Sequence, residues 1–562
     1  MKICFVQSVL EINLIKKRLG FLPVIVPLSL ETQVHCDLEK INYLDPENYI
    51  DKNFYRKASL ECSESIKKID FSKINFYFIK NELISLIRFR YNQIVFLIEL
   101  VRNIKKKFKI SKIFLTNEYS APEYDVMLIY PGNNFSNIEN IFLKLFSDDS
   151  VEILKTRENK KKNFNYGFYY DIIGTNKNKK KKILLSNSSY NFKRIIFYLL
   201  RNGHSVSFFN EGISFLKKII FKLLGVEIIE FKKIGKYKLI NCYDLKFSFK
   251  FNQFDISQLI QSQIDKSVQY LSNLEKKYEA IKKYFEVSNI QLVITNTNRD
   301  IGSMLVESAR KKKIKSLMIS HGTISAGFDE IDQIYKKTIA EGVFSGQANY
   351  YAIQSKITLD ALKSHELKGK PLITGNLIFA EKKTIPKKKE TKCLYAVTSK
   401  PFSAMQLFGL EMYHEFFNKL KDLENFAHKN NYKFYIHLHP GAKNSLHLLK
   451  KKFNMLNFTI GKIENSLKNA TVTLSFSSTT IEDSLNSEIP VILFDTKRRY
   501  KHCKSELDPI KKNQSVYYIN NFENLKNCIE TIKNSSQINF DNYIFLDKSK
   551  KNIKKLFQNL ID

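Results

Sequence analysis

Long apolar runs are missing from this sequence, and so is the apolar segment of a secretory signal peptide. A membrane-spanning helix needs about 18 or more consecutive apolar residues, and no such run occurs. The N-terminus, MKICFVQSVLEINLIKK, has only short apolar stretches. We therefore expect a protein that stays in the cytoplasm.

Paired cysteines are missing as well. The chain has seven cysteines at irregular spacing, without a CxxC pair. This pattern suits neither a disulfide framework nor a zinc site, so it predicts reduced thiols packed as small apolar side chains.

Acidic residues are scarce relative to basic ones: 56 Asp and Glu stand against 91 Lys and Arg, which gives a net charge of +35. Such a surface attracts polyanions, which include nucleic acid, anionic lipid headgroups and phosphate-bearing substrates. Much of the excess is lysine, in runs at 105–109, 177–182, 310–315 and 382–392. Any single run is more simply a solvated face. A basic nucleic-acid-binding protein is a less favoured alternative, because no RNP, KH, zinc-finger or helix-turn-helix pattern accompanies the charge, and we expect no nucleic-acid partner.

What is present is a repeated alternation of strand and helix patterns. A chain of 562 residues that is 43% hydrophobic can form two or three domains. From residue 182 the β-α-β alternation predicts a parallel sheet, and it restarts after KKTIPKKKE. The sequence thus predicts an α/β protein with two doubly wound, Rossmann-like lobes, at 180–380 and 390–562. Residues 1–155 form an α/β region that is either separate or part of the first lobe.

Polar residues follow several of the predicted strands at their carboxyl ends. His321 follows LMI, Gly375 and Asn376 follow LIT, and His439 follows a strand that begins at Phe434. Ligands of open parallel sheets bind beyond the carboxyl ends of the strands. These residues therefore predict a ligand crevice.

The segment HLHPG ends its strand abruptly. His437 and His439 are two residues apart and project to the same side of the strand, and Pro440 removes the next ladder donor. His439 is nearer the strand end, so we expect it to contact the ligand. We expect His437 to be a buried, hydrogen-bonded neighbour.

A serine pair marks a second strand end, in LSFSSTTIEDSL. Ser477 and Ser478 stand where a strand becomes a helix, and a helix N-terminus favours phosphate. Thr479 and Thr480 could equally act as helix caps.

Together these segments resemble a known family. HLHPG, the serine pair 38 residues after His439 and the following IEDSLNSEIPVILFD resemble the HP and SS motifs of bacterial surface-polysaccharide glycosyltransferases with the GT-B fold. Similar pairs occur in bacterial sialyltransferases, capsule Kdo transferases and teichoic-acid-type polyol-phosphate polymerases. ISHGT, YYAIQS and ITGN resemble the stretch from QHGT to VTGNP in capsule and lipid-linked saccharide enzymes. The resemblance covers roughly residues 180 to 540.

The resemblance implies roles for individual residues. His321 matches the catalytic base of teichoic-type enzymes, while Glu211 is a weaker match to the acidic base motif of the sialyltransferase-like relatives. The lobe at 390–562 would hold the donor, and the lobe at 180–380 the acceptor. The implied donor-nucleotide residues are His439, Pro440, Gly441, Ser477, Ser478, Thr479 and Glu482. The implied cleft residues are Gly322, Thr323, Gly375 and Asn376.

The resemblance also implies an activity. The chain would transfer a sugar from a nucleotide-activated donor, with CMP- and UDP-linked sugars as candidates, to a growing capsule, O-antigen or similar glycan. The acceptor would be a glycan or lipid-linked, and the enzyme would lie peripherally on the anionic inner face of the cytoplasmic membrane. A polyol-phosphate transferase is the nearest alternative, and an epimerase of the same fold is another. No DxD-like motif occurs, since Asp45, Asp300 and Asp495 are isolated. We therefore expect no cofactor and no metal.

Overall fold

A computed structural model describes most of the chain. The described residues are 1–51, 54–116, 150–154, 166–174, 181–186, 192–209, 214–239, 245–252, 254–320, 324–344, 346–365, 367–380, 392–396, 411–468, 470–476, 478–496, 502–503, 510–545 and 549–561.

Strands and helices alternate through these residues. The strands are β1 (Lys2–Val6), β2 (Val24–Pro27), β3 (Lys112–Thr116), β4 (Val151–Leu154), β5 (Tyr166–Ile173), β6 (Lys182–Leu185), β7 (Ser205–Phe209), β8 (Glu227–Lys238), β9 (Lys250–Phe251), β10 (Phe254–Asp255), β11 (Ile290–Thr295), β12 (Lys315–Met318), β13 (Tyr350–Ile353), β14 (Lys370–Ile373), β15 (Lys392–Ala396), β16 (Lys433–Leu438), β17 (Asn457–Ile460), β18 (Val472–Ser475), β19 (Val491–Phe494) and β20 (Val516–Ile519). The helices are α1 (Val9–Leu19), α2 (Leu30–Leu38), α3 (Phe54–Lys67), α4 (Tyr77–Lys107), α5 (Lys193–Arg201), α6 (Phe215–Leu223), α7 (Ser257–Val287), α8 (Asp300–Lys311), α9 (Glu330–Glu341), α10 (Lys356–Ala361), α11 (Tyr413–Asn430), α12 (Leu446–Lys452), α13 (Ile463–Leu467), α14 (Thr480–Asn486), α15 (Phe522–Lys533) and α16 (Ser549–Ile561).

The first part of the chain, residues 1–154, which we call the N-terminal unit, has a sheet of its own. Its four strands pair in the order β2-β1-β3-β4, all parallel. Helix α1 starts with a capping box between Ser8 and Glu11, and it ends at Gly20, whose φ of 70° is the left-handed value that suits glycine at a helix C-terminus.

A second sheet, the middle sheet, has eight strands in the order β14-β13-β12-β11-β6-β7-β8-β5. All neighbours are parallel except β5, which runs antiparallel to β8 at one edge. From β6 the chain adds β7 and β8 toward one edge of the sheet. From β11 it then adds β12, β13 and β14 toward the other edge. The strand order therefore reverses between β6 and β11, as in doubly wound folds.

The third sheet, the C-terminal sheet, has six parallel strands in the order β17-β16-β15-β18-β19-β20. Numbered along the chain this is 3-2-1-4-5-6, the order of dinucleotide-binding folds. Its reversal point lies between β15 and β18. The expected α/β class with Rossmann-like parallel sheets is confirmed.

The last helix, α16, leaves the C-terminal sheet and packs on the middle sheet. Its apolar residues Ile553, Leu556 and Phe557 belong to the same buried cluster as Leu292 and Ile294 of β11. Lys315 Nζ donates to the Leu560 carbonyl at 2.9 Å. The alternation in the sequence did not predict this return.

The N-terminal unit contacts helices of both other sheets. On one side, the Tyr413 hydroxyl of α11 donates to the Pro27 carbonyl at 2.6 Å. On the other, Arg56 of α3 pairs with Asp329 at 2.6 Å. One core cluster runs through α4, α7 and α11. The division into domains at 1–155, 180–380 and 390–562 stays a prediction, and most of its expected joint, 381–391, lies outside the described residues.

Two further expectations can be compared with the structure. Among the described helices, none is long and apolar enough to cross a membrane. The described cysteines Cys4, Cys36, Cys62, Cys503 and Cys528 are buried free thiols, as predicted; the side chains of Cys242 and Cys393 lie outside the described part.

Candidate functional site

The edge formed by the carboxyl ends of the C-terminal sheet carries the HLHPG segment. β16 ends at Leu438, and Pro440–Ser445 form a 3₁₀ helix directly after His439. The His439 carbonyl accepts a hydrogen bond from Ala442 N at 2.8 Å, so the backbone turns sharply at the strand end. His439 is half-buried, whereas the side chains of Pro440 and Gly441 are outside the description.

His437 has the structural role that the sequence predicted for it. It is buried, and its Nδ1 lies 2.9 Å from Ser466 Oγ and 3.3 Å from Thr459 Oγ1. Burial lowers its pKa. It is therefore a neutral core histidine at physiological pH, which leaves His439 as the histidine nearer the crevice.

The serine segment follows β18, beside the reversal point. Ser478 N donates to Ser475 Oγ at 3.2 Å, and Ser478 Oγ accepts from Thr480 N at 3.3 Å. The Ser478 hydroxyl thus caps the first turn of α14, while Thr479 is exposed. Ser477 lies outside the described residues. His439 and Ser478 follow strands separated only by β15, which is about 10 Å at the usual strand spacing.

Glu482 connects the two large sheets. It is buried on α14, and its carboxylate accepts a hydrogen bond from the hydroxyl of Ser355, at the end of β13 in the middle sheet. The same Ser355 oxygen caps α10 by accepting from Thr358 N at 3.2 Å. Glu482 therefore has a partner across the interface, and its expected ribose or sugar contact stays a prediction.

Asp483 makes a second connection beside it. Its Oδ1 accepts from Ala380 N at 2.7 Å, at the point where the chain leaves the middle sheet. Burial raises the pKa of this carboxyl to about 7, and Glu464 adds to the shift, while the Ala380 bond and Arg194 oppose it. Asp483 was not singled out from the sequence, because an acidic residue in the first turn of a helix is unremarkable.

In the middle sheet, three adjacent strands carry the segments ISHGT, YYAIQS and ITGN: ISHGT comes directly after β12, YYAIQS begins with the four residues of β13, and ITGN begins with the last residue of β14. Gln354 joins them: its Nε2 donates to the Ser320 carbonyl at 2.8 Å, and its Oε1 accepts from Leu377 N at 3.1 Å. Gln354 thereby holds the backbone just before the expected base and links it to the segment after β14. His321, Gly322, Thr323 and Glu211 themselves lie outside the described residues.

Gly375 and Asn376 have structural contacts at this edge. Gly375 has a φ of 64°, and a methyl group there would overlap the Asn552 amide of α16. Asn376 is buried, and its side chain bonds both backbone groups of Phe379, at 2.8 and 3.1 Å. These contacts set the path of the chain from β14 toward the C-terminal sheet, and the expected cleft role of both residues stays a prediction.

A pocket of about 630 Å³ opens between the loops after β12 and β13 and the last part of the chain. Two lysines and one carboxylate line it, and Lys363 Nζ pairs with Asp360 at 2.7 Å. Ser325 and Ala326 bring the loop that follows His321 to the pocket wall. The lining residues are Ser325, Ala326, Lys356, Ile357, Leu359, Asp360, Lys363, Cys503, Asn542 and Tyr543.

A buried ion pair beneath the reversal point of the C-terminal sheet was not expected from the sequence. Lys419 of α11 pairs with Glu411, and both are buried. The ammonium lies 5.5 Å from the ring centre of Phe476 and 5.3 Å from that of Phe494, at the ends of β18 and β19. Among so many lysines, nothing in the sequence distinguishes Lys419.

Among the described residues, no group of three or more His, Cys, Asp and Glu side chains is placed to hold a metal ion. Metal independence stays a prediction.

Comparisons with known proteins come from structure alone. No protein-family model matches the sequence, and no curated protein matches it either.

The chain is similar to UDP-GlcNAc 2-epimerase from Methanocaldococcus jannaschii, with a TM-score of 0.38 and 14% identity over 67% of this chain and 99% of that one. It is similar to a TarM variant from S. aureus in complex with Fondaparinux, alpha-GlcNAc-glycerol and UDP, with a TM-score of 0.38 and 11% identity over 68% and 97% of the two chains. It is also similar to the wall teichoic acid polymerase TagF, with a TM-score of 0.34 and 10% identity over 67% and 89%. The names of these proteins indicate different activities, and TM-scores below 0.5 do not distinguish among them.

Proposed function

We propose that this chain is a glycosyltransferase that moves a sugar from a nucleotide-activated donor to a growing cell-surface glycan. The observation that carries the proposal is the 3-2-1-4-5-6 order of the C-terminal sheet, which puts the segments of His439 and Ser478 on either side of the reversal point. This is where open α/β sheets bind nucleotides. This strand order supports the proposal that the residues of the HP and SS motifs bind the donor nucleotide.

The donor chemistry follows from these groups. A leaving nucleotide phosphate needs hydrogen-bond donors and positive charge, since negative charge develops on it as the sugar departs. His439, Ser477 and Ser478 supply the donors in the proposal, and the buried ion pair of Lys419 and Glu411 lies near the ends of β18 and β19. No metal has a part in this step.

The acceptor binds on the side of the middle sheet. In an inverting transfer a base takes the proton of the attacking hydroxyl. His321 has that role in the proposal, because it lies in sequence between Ser320, which Gln354 holds, and Ser325, which lines the pocket.

A polyol-phosphate transferase is the second candidate, and the pocket gives it one specific support. Lys356 and Lys363 line the pocket, and ammonium groups suit a phosphate-bearing substrate. The proposed location of the enzyme is the cytoplasmic face of the membrane. A net charge of +35 favours binding to anionic lipid, and a lipid-linked acceptor would lie in the same membrane.

The test is nucleotide release from a panel of donors. Purified protein is given CMP-, UDP- and GDP-sugars and CDP-glycerol, with a lipid-linked glycan acceptor and with or without EDTA. We expect acceptor-dependent release from one nucleotide-sugar, with or without EDTA. Release from CDP-glycerol alone would favour the second candidate, and acceptor-independent formation of free sugar would favour an epimerase.

Variants connect the activity to the site. His439→Ala should lower kcat/KM, by an amount that corresponds to a loss of about 2 to 4 kcal/mol in transition-state stabilisation. Ser477→Ala with Ser478→Ala should mainly raise the donor KM. His428→Ala is the matched control, because His428 is an exposed histidine near the C-terminal end of α11, at the opposite edge of the sheet. Wild-type kinetics in all three site substitutions would contradict the proposed phosphate site.

A further inference from the structure

Helix α6 is a surface helix that buries none of its residues. Its most exposed apolar side chains are Phe215, Leu216 and Leu223, with 75%, 73% and 82% of their surface accessible. Soluble proteins rarely leave a contiguous apolar patch of this kind uncovered, and such patches mark interaction sites. The exposed apolar residues of the patch are Phe215, Leu216, Ile219, Ile220, Leu223 and Leu224.

These six residues form one stripe along the helix. Their spacing of one, four, five, eight and nine residues from Phe215 places them on one side at 3.6 residues per turn. The opposite side attaches the helix to the middle sheet. There, Phe221 packs edge-on against Phe208 with ring centres 5.0 Å apart, and Lys218 pairs with Glu230 at 2.6 Å. The attachment fixes the orientation of the helix, so its apolar stripe faces outward.

Two exposed lysines border the stripe. At 3.6 residues per turn, Lys217 falls beyond one edge of the stripe and Lys222 beyond the other. An apolar stripe with ammonium groups along both edges is complementary to an anionic bilayer, whose acyl chains take the apolar side chains and whose headgroups take the lysines. A second copy of this chain fits less well, because each chain has a net charge of +35 and lysines beside the stripe.

We infer that α6 is the membrane-docking element of this chain and that it inserts its apolar stripe into an anionic lipid surface. The helix is short, about 14 Å long, so it lies in the interface and anchors the protein reversibly. This contact differs from the general attraction of a basic protein to anionic lipid, because it gives the bound chain one orientation and survives screening by salt. It does not depend on the chemistry proposed above.

A tryptophan probe tests insertion directly, because the chain has no tryptophan of its own. Phe215→Trp places a single fluorophore in the stripe. On vesicles of phosphatidylcholine and phosphatidylglycerol its emission should move to shorter wavelength, and lipids brominated on the acyl chains should quench it. The matched control is Phe328→Trp, at an exposed phenylalanine outside the stripe. An unchanged spectrum for Phe215→Trp on vesicles that bind the protein would overturn the inference.

Substitutions test the contribution of the stripe to binding. In 1 M salt, where the screening length falls to about 3 Å, Leu216→Ser with Ile220→Ser and Leu223→Ser should weaken vesicle binding by more than about tenfold. Leu10→Ser with Val287→Ser removes two similarly exposed apolar side chains elsewhere and should leave binding unchanged. At low salt, Lys217→Gln and Lys222→Gln should each weaken binding to the anionic vesicles about fivefold.

Two further results would also overturn the inference that α6 inserts into a lipid surface. Wild-type vesicle binding by the triple serine variant in 1 M salt would overturn the inference. So would a wild-type dimer in solution that the triple variant converts to monomer, since the stripe would then bind a second copy. Nucleotide release with a water-soluble acceptor should be the same in both proteins, which separates failure of this inference from failure of the proposed function.

Discussion

Asp483 shows how one side chain at the boundary between two sheets can make stability depend on pH. Burial raises its pKa to about 7, while its Oδ1 accepts a hydrogen bond from Ala380 N at 2.7 Å. Because the pKa lies above the ordinary 3.8, the folded protein holds this proton more tightly than the unfolded chain between these two values. The stabilising contribution is therefore complete below about pH 4 and is lost as the pH rises through 7.

Asp483→Asn tests this assignment. Asparagine keeps an acceptor oxygen for Ala380 N and has no charge to bury, so the variant should be more stable than the wild type at pH 8 by about 2 kcal/mol. At pH 5 the gain should be smaller, because the folded wild-type carboxyl is then still largely protonated and only the unfolded chain has ionised. Urea unfolding at both pH values measures the difference. A gain of equal size at pH 5 and pH 8 would contradict the raised pKa.

His437 and Lys419 show which residue-level features could be predicted from the sequence and which could not. Alternation along a strand was enough to predict that His437 would be buried and hydrogen-bonded, since both features depend on strand geometry. The buried pair of Lys419 and Glu411 could not be found in this way. Its burial depends on strands and helices that are distant in sequence, and the local pattern around Lys419 is that of an ordinary amphipathic helix.

At the scale of single elements, α16 is held against the middle sheet partly by a glycine. Gly375 has a φ of 64° and faces Asn552 so closely that a methyl group would overlap the amide. Gly20, at the end of α1, has a similar φ of 70° with no neighbouring atom within 4 Å of a Cβ position. Alanine substitutions at Gly375 and Gly20 therefore separate the stability cost of the backbone conformation from the stability cost of crowding against Asn552.

Gly375→Ala should therefore destabilise the protein more than Gly20→Ala. Each loses about 1 kcal/mol because alanine disfavours the left-handed conformation, and Gly375→Ala has the added displacement of Asn552. Chemical unfolding of both variants measures the two costs. Equal losses would mean that α16 is not packed closely against this turn.

Strand order was predictable in outline, because β-α-β alternation with right-handed crossovers allows few arrangements of a parallel sheet. The alternation predicted doubly wound parallel sheets, which the structure contains. The return of α16 to the middle sheet was not predictable. Its apolar stripe would fit any apolar groove, and which groove it fills depends on the path of the whole chain.

For the whole molecule, the N-terminal unit contacts helices that pack on both large sheets, in addition to the direct contacts of α14. Tyr413 of α11 reaches Pro27, Lys421 pairs with Asp37 at 2.8 Å, and Arg88 of α4 pairs with Glu341 at 2.9 Å in α9. These contacts are part of one continuous core with α4 and α7. Moving one large sheet relative to the other would therefore deform the N-terminal unit as well.

Tyr413→Phe probes this joint. The substitution keeps the ring and removes the hydroxyl, which leaves the Pro27 carbonyl without this donor in a fully buried place. We expect a loss of about 1 to 3 kcal/mol in the free energy of unfolding. Tyr169→Phe, at an exposed tyrosine, is the control and should have little effect. A loss of similar size in both variants would argue against a tight junction at α11.

The central claim, that a nucleotide binds at the carboxyl edge of the C-terminal sheet through the residues of HLHPG and the serine pair, has one direct test. The thermal unfolding temperature is measured with CMP, UDP, GDP and CDP for the wild type, His439→Ala and His428→Ala. Binding to the folded state raises stability by mass action, by about 2.7 kcal/mol at a ligand concentration one hundred times Kd. We predict that one nucleotide raises the unfolding temperature of the wild type and of His428→Ala, and that His439→Ala loses most of the rise. An equal rise in all three proteins, or none with any nucleotide, would contradict the account.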